Sequence, residues 1–348
     1  MKRQKKMELP IELRLASEKM AEGMSIKLMA DSAGELSRRY MTESGTGKSL
    51  LTKSNEAVIY SLMRMPATFG AVSSALEQVC GASDFVPRSL LDAGAGTGAG
   101  SWAAAEMFNL DKITCLEREN AMETVGHALM KESSEKVLRE ACWIKADLTA
   151  EAVEYERTGV VSEEADLVIA SYVINEMAPE DRARVVRWLF VCAKKMLVIV
   201  EPGTPAGSEN IRRIRNLLLD EGAYIAAPCT HMDMCHMKNS DWCHFSCRVG
   251  RGKIHKLLKD GDAPYEDEKF SYIAVSREPV TGNGEEKGCL HHGRVLRHPL
   301  TEKGRIVLEI CEKNGIVKKT VTKKDGELYK KAKKVHCGDT FPLKQEGN

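Results

Sequence analysis

Apolar residues recur every three or four positions through most of the first 80 residues of the chain. This spacing predicts amphipathic helices, so we expect an N-terminal helical region over residues 1–80. Between residues 88 and 202 the pattern changes to short apolar runs that alternate with helical segments, which predicts a parallel, doubly wound sheet. One more helix is expected from Ser208 to Glu221. The β-type runs after it are broken by Gly, Asn and Pro and predict a small antiparallel unit, appended to the sheet or completing it.

The predicted fold class is therefore α/β, with three regions along the chain. A Rossmann-like core is expected over residues 81–225, after the N-terminal helical region. The last region, residues 226–348, combines a Cys-rich loop, the remaining strands of the core and a C-terminal β-rich unit. No internal repeat divides the chain further.

The composition is that of a globular protein without a membrane span. Of 348 residues, 43% are hydrophobic and 29% are charged, and no run approaches the roughly 18 apolar residues that a membrane helix needs. The unusual feature is the presence of eleven Cys. Since the chain starts without the apolar segment of a secretory signal, these thiols predict a reducing compartment, in which clustered Cys bind metals more often than they form cross-links. The start also lacks an Arg- and Ser-rich amphipathic leader, so we expect a prokaryotic cytoplasm first and a mitochondrial matrix second.

Charge is distributed unevenly along the chain. The net charge is only +1, but fifteen Lys or Arg and seven Asp or Glu lie between Lys287 and Asn348, which gives that segment +8 and the rest of the chain −7. Most of the excess lies between Lys318 and Lys334. Clustered Lys beside β-type sequence is typical of a surface that contacts phosphates, and a solvated face is the alternative.

A glycine-rich turn follows the first predicted core strand. Asp92 ends the strand, and Gly94, Gly96 and Gly98 then allow the backbone to approach a ligand closely before a helix begins near Ala99. The pattern matches the Asp-x-Gly-x-Gly-x-Gly turn of S-adenosylmethionine-dependent methyltransferases of the Rossmann-like class. A nucleotide-free or NAD-type Rossmann domain is the alternative.

Acidic residues after the next two strands favour the same cofactor. Glu117 lies twenty-five residues after Asp92, where a carboxylate can accept both ribose hydroxyls of a nucleoside. Asp147 lies where such folds often bind the adenine amino group. By contrast, the segment Gly45–Ser49 only resembles the end of a phosphate-binding P-loop, because position 42 is Thr where that motif requires Gly. A P-loop NTPase is therefore excluded.

The segment after the fourth core strand has no recognisable base-holding turn. Enzymes that methylate exocyclic base amines often carry an Asn/Asp-Pro-Pro-aromatic turn there, whereas this chain has Asn175, Glu176 and Met177. We expect these polar residues to cap the N-terminus of the following helix, and a base or orienting pair is the alternative. The catalytic residues are thus unknown. Methyl transfer needs little more than an aligned nucleophile, so the lack of a catalytic motif does not rule out an active methyltransferase.

A group of thiols lies in the Cys-rich segment. Cys229, Cys235 and Cys243 are spaced too widely for the Cys pairs of a zinc knuckle. Three thiols on an irregular loop with a distant fourth are compatible with an iron–sulfur cluster, with zinc and free thiols as alternatives. The candidates for the fourth ligand are Cys311, which we favour, and its competitors Cys247 and Cys289. The thiols expected to be small apolar residues within helices or strands are Cys80, Cys115, Cys142 and Cys192, and Cys337 has no assigned role.

Longer motifs identify a family. The chain resembles, over most of its length, the mitoribosomal small-subunit assembly factor family that includes methyltransferase-like protein 17 and its bacterial relatives. The motifs that carry the resemblance are RMPATFGAV, AAPC-T-H, DWCHFS, KFSYIAVSRE and GRVLRHP. In this family the Cys-rich segment usually has Pro at the positions of Thr230 and His236, and neither departure removes a ligand.

The resemblance implies a class I methyltransferase fold that binds S-adenosyl-L-methionine at the turn from Asp92 to Gly98 and at Glu117. It also implies a four-iron four-sulfur cluster (4Fe-4S) on Cys229, Cys235, Cys243 and Cys311. The implied role is an assembly or translation factor that binds the rRNA and proteins of the small ribosomal subunit, as a monomer and away from membranes. We expect rRNA to contact the basic C-terminal unit and the N-terminal helices. The alternative is an active rRNA methyltransferase with a structural cluster.

Overall fold

The computed structural model describes residues 6–48, 50–51, 53, 55–238, 240–258, 263–280 and 292–342. Within them the chain forms a nine-stranded sheet and a separate five-stranded sheet. No helix of this described part is long and apolar enough to cross a membrane. The candidate ligand Cys289 lies outside the described residues, as do the two ends of the basic segment.

A short strand and four helices precede the core. These elements are β1 (Lys6–Met7), α1 (Ile11–Met20), α2 (Ile26–Glu43), α3 (Glu56–Met63) and α4 (Met65–Ala82). Helix α4 is buried along most of its length, because it packs between the large sheet and the other N-terminal helices. Helices α2 and α3 are joined by an ion pair between Arg39 and Glu56, whose side chains are 6% and 0% exposed. Removing either partner would leave a buried charge, at a cost of about 3–5 kcal/mol.

Five parallel strands form the centre of the large sheet, in the order β4-β3-β2-β5-β6. The strands are β2 (Ser89–Ala93), β3 (Lys112–Glu117), β4 (Cys142–Lys145), β5 (Ala165–Ser171) and β6 (Ala193–Pro202). The helices between and after them are α5 (Ala99–Met107), α6 (Asn120–Lys131), α7 (Lys136–Arg139), α8 (Leu148–Thr158), α9 (Pro179–Cys192) and α10 (Pro205–Asp220). Strands β5 and β6 are almost continuously apolar because helices cover both faces of the sheet. This is a Rossmann-like fold, and the predicted alternation of strands and helices is confirmed.

The sheet is completed by antiparallel strands. Strand β9 (Tyr265–Ser276) pairs with β6, and both β7 (Tyr224–Ala227) and β8 (Phe245–Gly250) pair with β9 at its opposite ends. The Cys-rich segment between β7 and β8 therefore begins beside one end of β9 and ends beside the other end. Helix α11 (Lys253–Leu258) follows β8, and β1 pairs with β8 at the edge.

The five-stranded sheet is antiparallel and has its own apolar core. Its elements are β10 (His292–Val295), β11 (Leu300–Glu302), β12 (Arg305–Glu312), β13 (Gly315–Thr322), α12 (Glu327–Ala332) and β14 (Thr340–Pro342). The core residues are Val295, Ile306, Leu308, Ile310, Val321, Ala332 and Phe341. The predicted antiparallel runs therefore belong to two different sheets. The run FSYIAVS completes the large sheet, and the later runs form the appended five-stranded sheet.

Candidate functional site

The glycine-rich turn lies at the carboxyl end of β2, where the order of the parallel strands reverses. Ligands of doubly wound folds bind at this point. Gly94, Gly96 and Gly98 have φ angles of 71°, 58° and 87°. At Gly94 a side chain is excluded, because its Cβ would lie 2.6 Å from a methyl group of Val173. At Gly96 no described atom lies within 4 Å of such a Cβ, so this glycine faces open space.

A pocket at this point is lined by four of the six residues that the sequence assigned to the cofactor, namely Gly94, Gly96, Glu117 and Asp147. The carboxylate of Glu117 accepts hydrogen bonds from the backbone N–H of Gly96 at 2.7 Å and of Glu119 at 2.8 Å. Burial raises the pKa of Glu117. Asp147 is the N-cap of α8, and its Oδ1 accepts a hydrogen bond from Thr149 N at 2.8 Å.

The other two predicted residues, Asp92 and Gly98, lie behind the wall of the pocket. Asp92 is fully buried, and its Oδ2 accepts hydrogen bonds from the backbone N–H and the hydroxyl of Ser101, both at 2.8 Å. Burial raises the pKa of Asp92 to about 6. A Cβ on Gly98 would lie 2.5 Å from the methyl group of Met130. Both residues therefore hold the turn against helices α5 and α6.

The rest of the pocket lining was not found from the sequence, apart from Glu176, which the sequence offered as an alternative base or orienting residue. It includes Tyr40 of α2, Leu50 of the loop after α2 and Tyr60 of α3, together with Tyr172 and Glu176 after β5. Burial is the main cause that raises the pKa of Glu176, to about 8. The N-terminal helices thus form part of the pocket lining, together with the core.

Tyr172 has a φ of 61° and is the one non-glycine residue with a positive φ among the described residues. Its hydroxyl donates a hydrogen bond to Glu268 Oε1 of β9 at 2.9 Å. Non-glycine residues in this conformation cost free energy and often occur at binding sites. The only sequence signal for this residue is its position at the end of the fourth core strand.

The rejected P-loop segment lies at the edge of the same pocket. Gly47 N donates a hydrogen bond to Glu176 O at 3.0 Å. Arg118 donates hydrogen bonds to the carbonyl oxygens of Gly47 and Lys48, both at 3.2 Å. Gly47 and Lys48 are thus bonded to two residues, Glu176 and Arg118, that line the pocket.

The expectation that Asn175 and Glu176 cap helix α9 is wrong. These residues form a 3-10 turn from Ile174 to Glu176, and the N-cap of α9 is Ala178, which makes no side-chain capping bond. Asn175 instead accepts a hydrogen bond from Asn210 of α10 at 3.0 Å. The helix can begin without a side-chain cap because Pro179 occupies its first position.

The four predicted cluster ligands converge between the two sheets. Cys229, Cys235 and Cys243 border one cleft, and burial together with the nearby thiols of Cys229, Cys235 and Cys311 raises the pKa of Cys243. Cys311, in β12, is joined to the Cys-rich segment by a hydrogen bond from Thr230 Oγ1 to its carbonyl oxygen at 3.3 Å. Burial also raises the pKa of Cys229, and that of Cys311 to about 12. In the described residues, no three His, Cys, Asp or Glu side chains form a group that could hold a metal ion.

The remaining thiols have other surroundings. Cys247 is 3% exposed and packs against Gly70 of α4, and the Sγ of Cys337 donates a hydrogen bond to Leu296 O at 3.2 Å. Cys115 and Cys192 are buried as expected. Cys80 and Cys142 lie in a helix and a strand, as expected, and both are exposed.

The basic residues of the C-terminal unit lie on its surface. The exposed lysines of β13, α12 and their connections are Lys318, Lys323, Lys324, Lys330, Lys331, Lys333 and Lys334. Lys318 lies opposite Glu309 of β12, which offsets its charge in part. The unit therefore presents clustered positive charge.

Solved structures of methyltransferases show a loose likeness to the chain. Magnesium protoporphyrin IX methyltransferase from Synechocystis PCC 6803 is 12% identical with a TM-score of 0.41, and the match covers 77% of this chain and 98% of that one. The ribosomal protein L11 methylase from Lactobacillus delbrueckii subsp. bulgaricus is 13% identical with a TM-score of 0.36, over 60% of this chain and 79% of that one.

Matches in sequence are more specific. The human protein described as ribosome assembly protein METTL17, mitochondrial, is 26% identical over 306 residues. The match covers 82% of this chain, but the chain spans only 62% of the length of that relative. A family model described as mitochondrial small ribosomal subunit Rsm22 matches residues 54–342. Because this match includes the glycine-rich turn, the Cys-rich segment and both sheets, the chain belongs to the Rsm22 family.

Proposed function

We propose that the chain is an assembly factor of the small ribosomal subunit that binds S-adenosylmethionine and an iron–sulfur cluster and contacts rRNA through its C-terminal unit. The observation that carries the proposal is the pocket beside the glycine-rich turn. Gly96 and Glu117 offer an open backbone and a buried carboxylate to a nucleoside, at the position where doubly wound folds bind one. The assembly role rests on the family and on the printed name of the human relative.

Binding without methyl transfer is the function that the pocket favours. Tyr40 and Tyr60 of the N-terminal helices form part of the lining of the pocket. An rRNA base that approached a bound cofactor from this side would have to displace these helices, which the buried Arg39–Glu56 ion pair holds together. The cofactor would then stabilise the fold by mass action, since a ligand that binds only the folded chain adds free energy of unfolding.

An active methyltransferase is the second candidate. The strained backbone of Tyr172 and the buried carboxyl of Glu176 favour it, because both lie in the pocket beside the place proposed for the cofactor. With its pKa raised to about 8, Glu176 is largely protonated at neutral pH and can donate a hydrogen bond.

Labelled S-adenosylmethionine separates the two functions. The full chain is incubated with the labelled cofactor and small-subunit rRNA or precursor particles, and binding and transfer are both measured. We expect saturable binding and no label on rRNA. Transfer that Glu117→Gln abolishes, while Glu132→Gln on the exposed far end of α6 preserves it, would establish the methyltransferase instead.

The four thiols fit an iron–sulfur cluster by their chemistry. They are soft ligands, three of them border one cleft, and a hydrogen bond from Thr230 joins their segment to the carbonyl oxygen of the fourth, Cys311. A zinc ion would require its four sulfur ligands to lie about 3.8 Å from one another, given a Zn–S distance of about 2.3 Å. A four-iron cluster holds its thiolates farther apart, because each binds a different iron atom. When bound, the cluster would link Cys229, Cys235 and Cys243 to Cys311 covalently and fix the C-terminal unit on the core.

Metal analysis after anaerobic purification tests this assignment. We expect about four iron and four sulfide per chain and the visible absorption of a cluster. Cys311→Ser is expected to lose most of the iron. Cys337→Ser is the matched control, because it changes a half-buried thiol of the same unit and retains the hydrogen bond to Leu296 O. Zinc in place of iron, or equal iron in both variants, would refute the assignment.

The compartment and the partners follow from the same comparison. The mitochondrial human relative supports the mitochondrial matrix, which the sequence had placed second to a prokaryotic cytoplasm. The proposed partners are the rRNA and proteins of the small ribosomal subunit, and the proposed state on the ribosome is a monomer.

A further inference from the structure

Two buried arginines flank the thiols. Arg215 of α10 and Arg294 of β10 are each only 3% exposed. Arg215 donates hydrogen bonds to the carbonyl oxygens of His231 at 3.1 Å and Asp233 at 2.5 Å. Arg294 donates hydrogen bonds to Pro228 O at 2.7 Å and Gly338 O at 2.6 Å, and also to the side chain of Gln78.

Neither guanidinium has a carboxylate partner among the described residues. Every oxygen there that accepts a hydrogen bond from these two arginines is a carbonyl or amide oxygen. Burial raises the pKa of the Cys229 thiol, and a hydrogen bond from Arg215 opposes this rise. A buried cation without an anion is strongly destabilising, and proteins normally place an acidic group beside it. The two positive charges therefore indicate that an anion belongs nearby.

The thiols are the groups that can supply this anion. Arg215 borders the same cleft as Cys229, Cys235 and Cys243. Arg294 lies directly opposite Cys311 in the pairing of β10 with β12. The Nε of Arg294 also donates a hydrogen bond to the carbonyl oxygen of Pro228, the residue before Cys229. The two cations thus approach the thiols from different elements, Arg215 from helix α10 and Arg294 from the five-stranded sheet.

We propose that Arg215 and Arg294 compensate the charge of the iron–sulfur site and thereby set its reduction potential. This inference rests on the proposed cluster. A four-iron core in its usual 2+ state carries a net charge of −2 with four thiolates, which two arginines balance. Reduction adds one more negative charge, so a nearby cation favours the reduced form.

The inference is tested by measuring the reduction potential of the cluster in the full chain. An anaerobic redox titration monitored by electron paramagnetic resonance gives this potential. We expect Arg215→Gln and Arg294→Gln each to disfavour reduction at least tenfold, which is about 59 mV for a one-electron couple. The corresponding Lys variants keep the charge but lose the planar hydrogen-bonding fork, and they are expected to stay close to the wild-type potential.

Arg297→Gln is the matched control. Arg297 also contacts the Cys-rich segment, through a hydrogen bond to Trp242 O at 3.1 Å, but Asp241 already balances its charge at 2.7 Å. A smaller shift is therefore expected. Equal potentials in the wild type and all Gln variants would overturn the inference, as would a Lys variant that shifts as far as its Gln counterpart.

Loss of the cluster from a variant is also informative. If the Gln variants bind no iron while the Lys variants do, the charge is required, as proposed. If both kinds of variant lose iron, the arginines act through their hydrogen bonds and the inference is overturned. Wild-type protein without iron and sulfide would refute the proposed cluster itself. A cluster whose reduction potential is the same in the wild type and in both Gln variants would refute this inference alone.

Discussion

A single methyl group at Gly96 tests the cofactor pocket. Gly96 lines the pocket, has a φ of 58° and has open space where a Cβ would lie. Gly159, at the C-cap of α8, has a φ of 71° and equally open surroundings, but it does not line the pocket. Gly96→Ala and Gly159→Ala therefore impose a similar backbone strain and differ in what the new methyl group meets.

The expected magnitudes follow from these two environments. An alanine in the left-handed region costs about 1–2 kcal/mol, so both variants should lose a similar amount of unfolding free energy. At Gly96 the methyl group also takes space from the bound cofactor, and overpacking of this kind costs about 1–3 kcal/mol. Since 1.4 kcal/mol is a factor of ten, S-adenosylmethionine should bind Gly96→Ala about 5- to 150-fold more weakly.

Calorimetric titration with S-adenosylmethionine and thermal denaturation without it measure the two effects separately. We expect both variants to melt below the wild type by similar amounts, and only Gly96→Ala to lose affinity. Wild-type affinity in Gly96→Ala would show that the cofactor does not lie against the glycine-rich turn. A matching loss in Gly159→Ala would show that the strain, and not the pocket, weakens binding.

Three further predictions concern charge and the cluster. Burial raises the pKa of Glu201 from 4.5 to about 8, so its stabilising effect is present below pH 4.5 and is lost as the pH rises through about 8. In the wild type this loss lowers the unfolding free energy by a few kcal/mol between these pH values, and Glu201→Gln should abolish that decrease. Urea denaturation at several pH values measures the unfolding free energy, and the same pH dependence in variant and wild type would contradict the prediction. Replacing three exposed lysines, Lys318, Lys323 and Lys324, with Gln should reduce the slope of log K for rRNA binding against log salt concentration by about 2 to 3. Anisotropy titrations at several salt concentrations measure this slope, and an unchanged slope would refute the proposed rRNA-binding surface. Cys311→Ser should also speed hydrogen exchange in residues 292–342, and unaltered exchange there would show that the cluster does not hold this unit.

The sequence predicted the central sheet because its signals are local. The apolar runs of β5 and β6 and the glycine spacing after β2 each reflect the conformation of a few adjacent residues. The wall formed by Tyr40 and Tyr60 could not be predicted in this way. Helical periodicity indicates which face of α2 or α3 is buried, but not which distant pocket that face covers.

The features that the local pattern missed have the same origin. Asn175 and Glu176 precede a helix, as capping residues do, but the partners of Asn175 are Asn210 and Glu201, which come from later elements that the local pattern does not reveal. Cys142 lies in a strand pattern, yet β4 is the edge of the sheet and leaves its side chain exposed. A strand pattern cannot distinguish an edge from a centre.

The position of the Cys-rich segment links the cofactor fold to the basic unit. Since β7 and β8 both pair with β9, the segment is an insertion at the edge of the large sheet, and it ends where that sheet resumes. Contacts from the second sheet converge on it, through Arg294 to Pro228 O and through Arg297 to Asp241. A cluster bound there would therefore determine how the exposed lysines are presented relative to the cofactor pocket. Loss of iron should weaken rRNA binding while S-adenosylmethionine affinity persists, because the pocket is built from β2, β3, β5 and the N-terminal helices and does not include the segment.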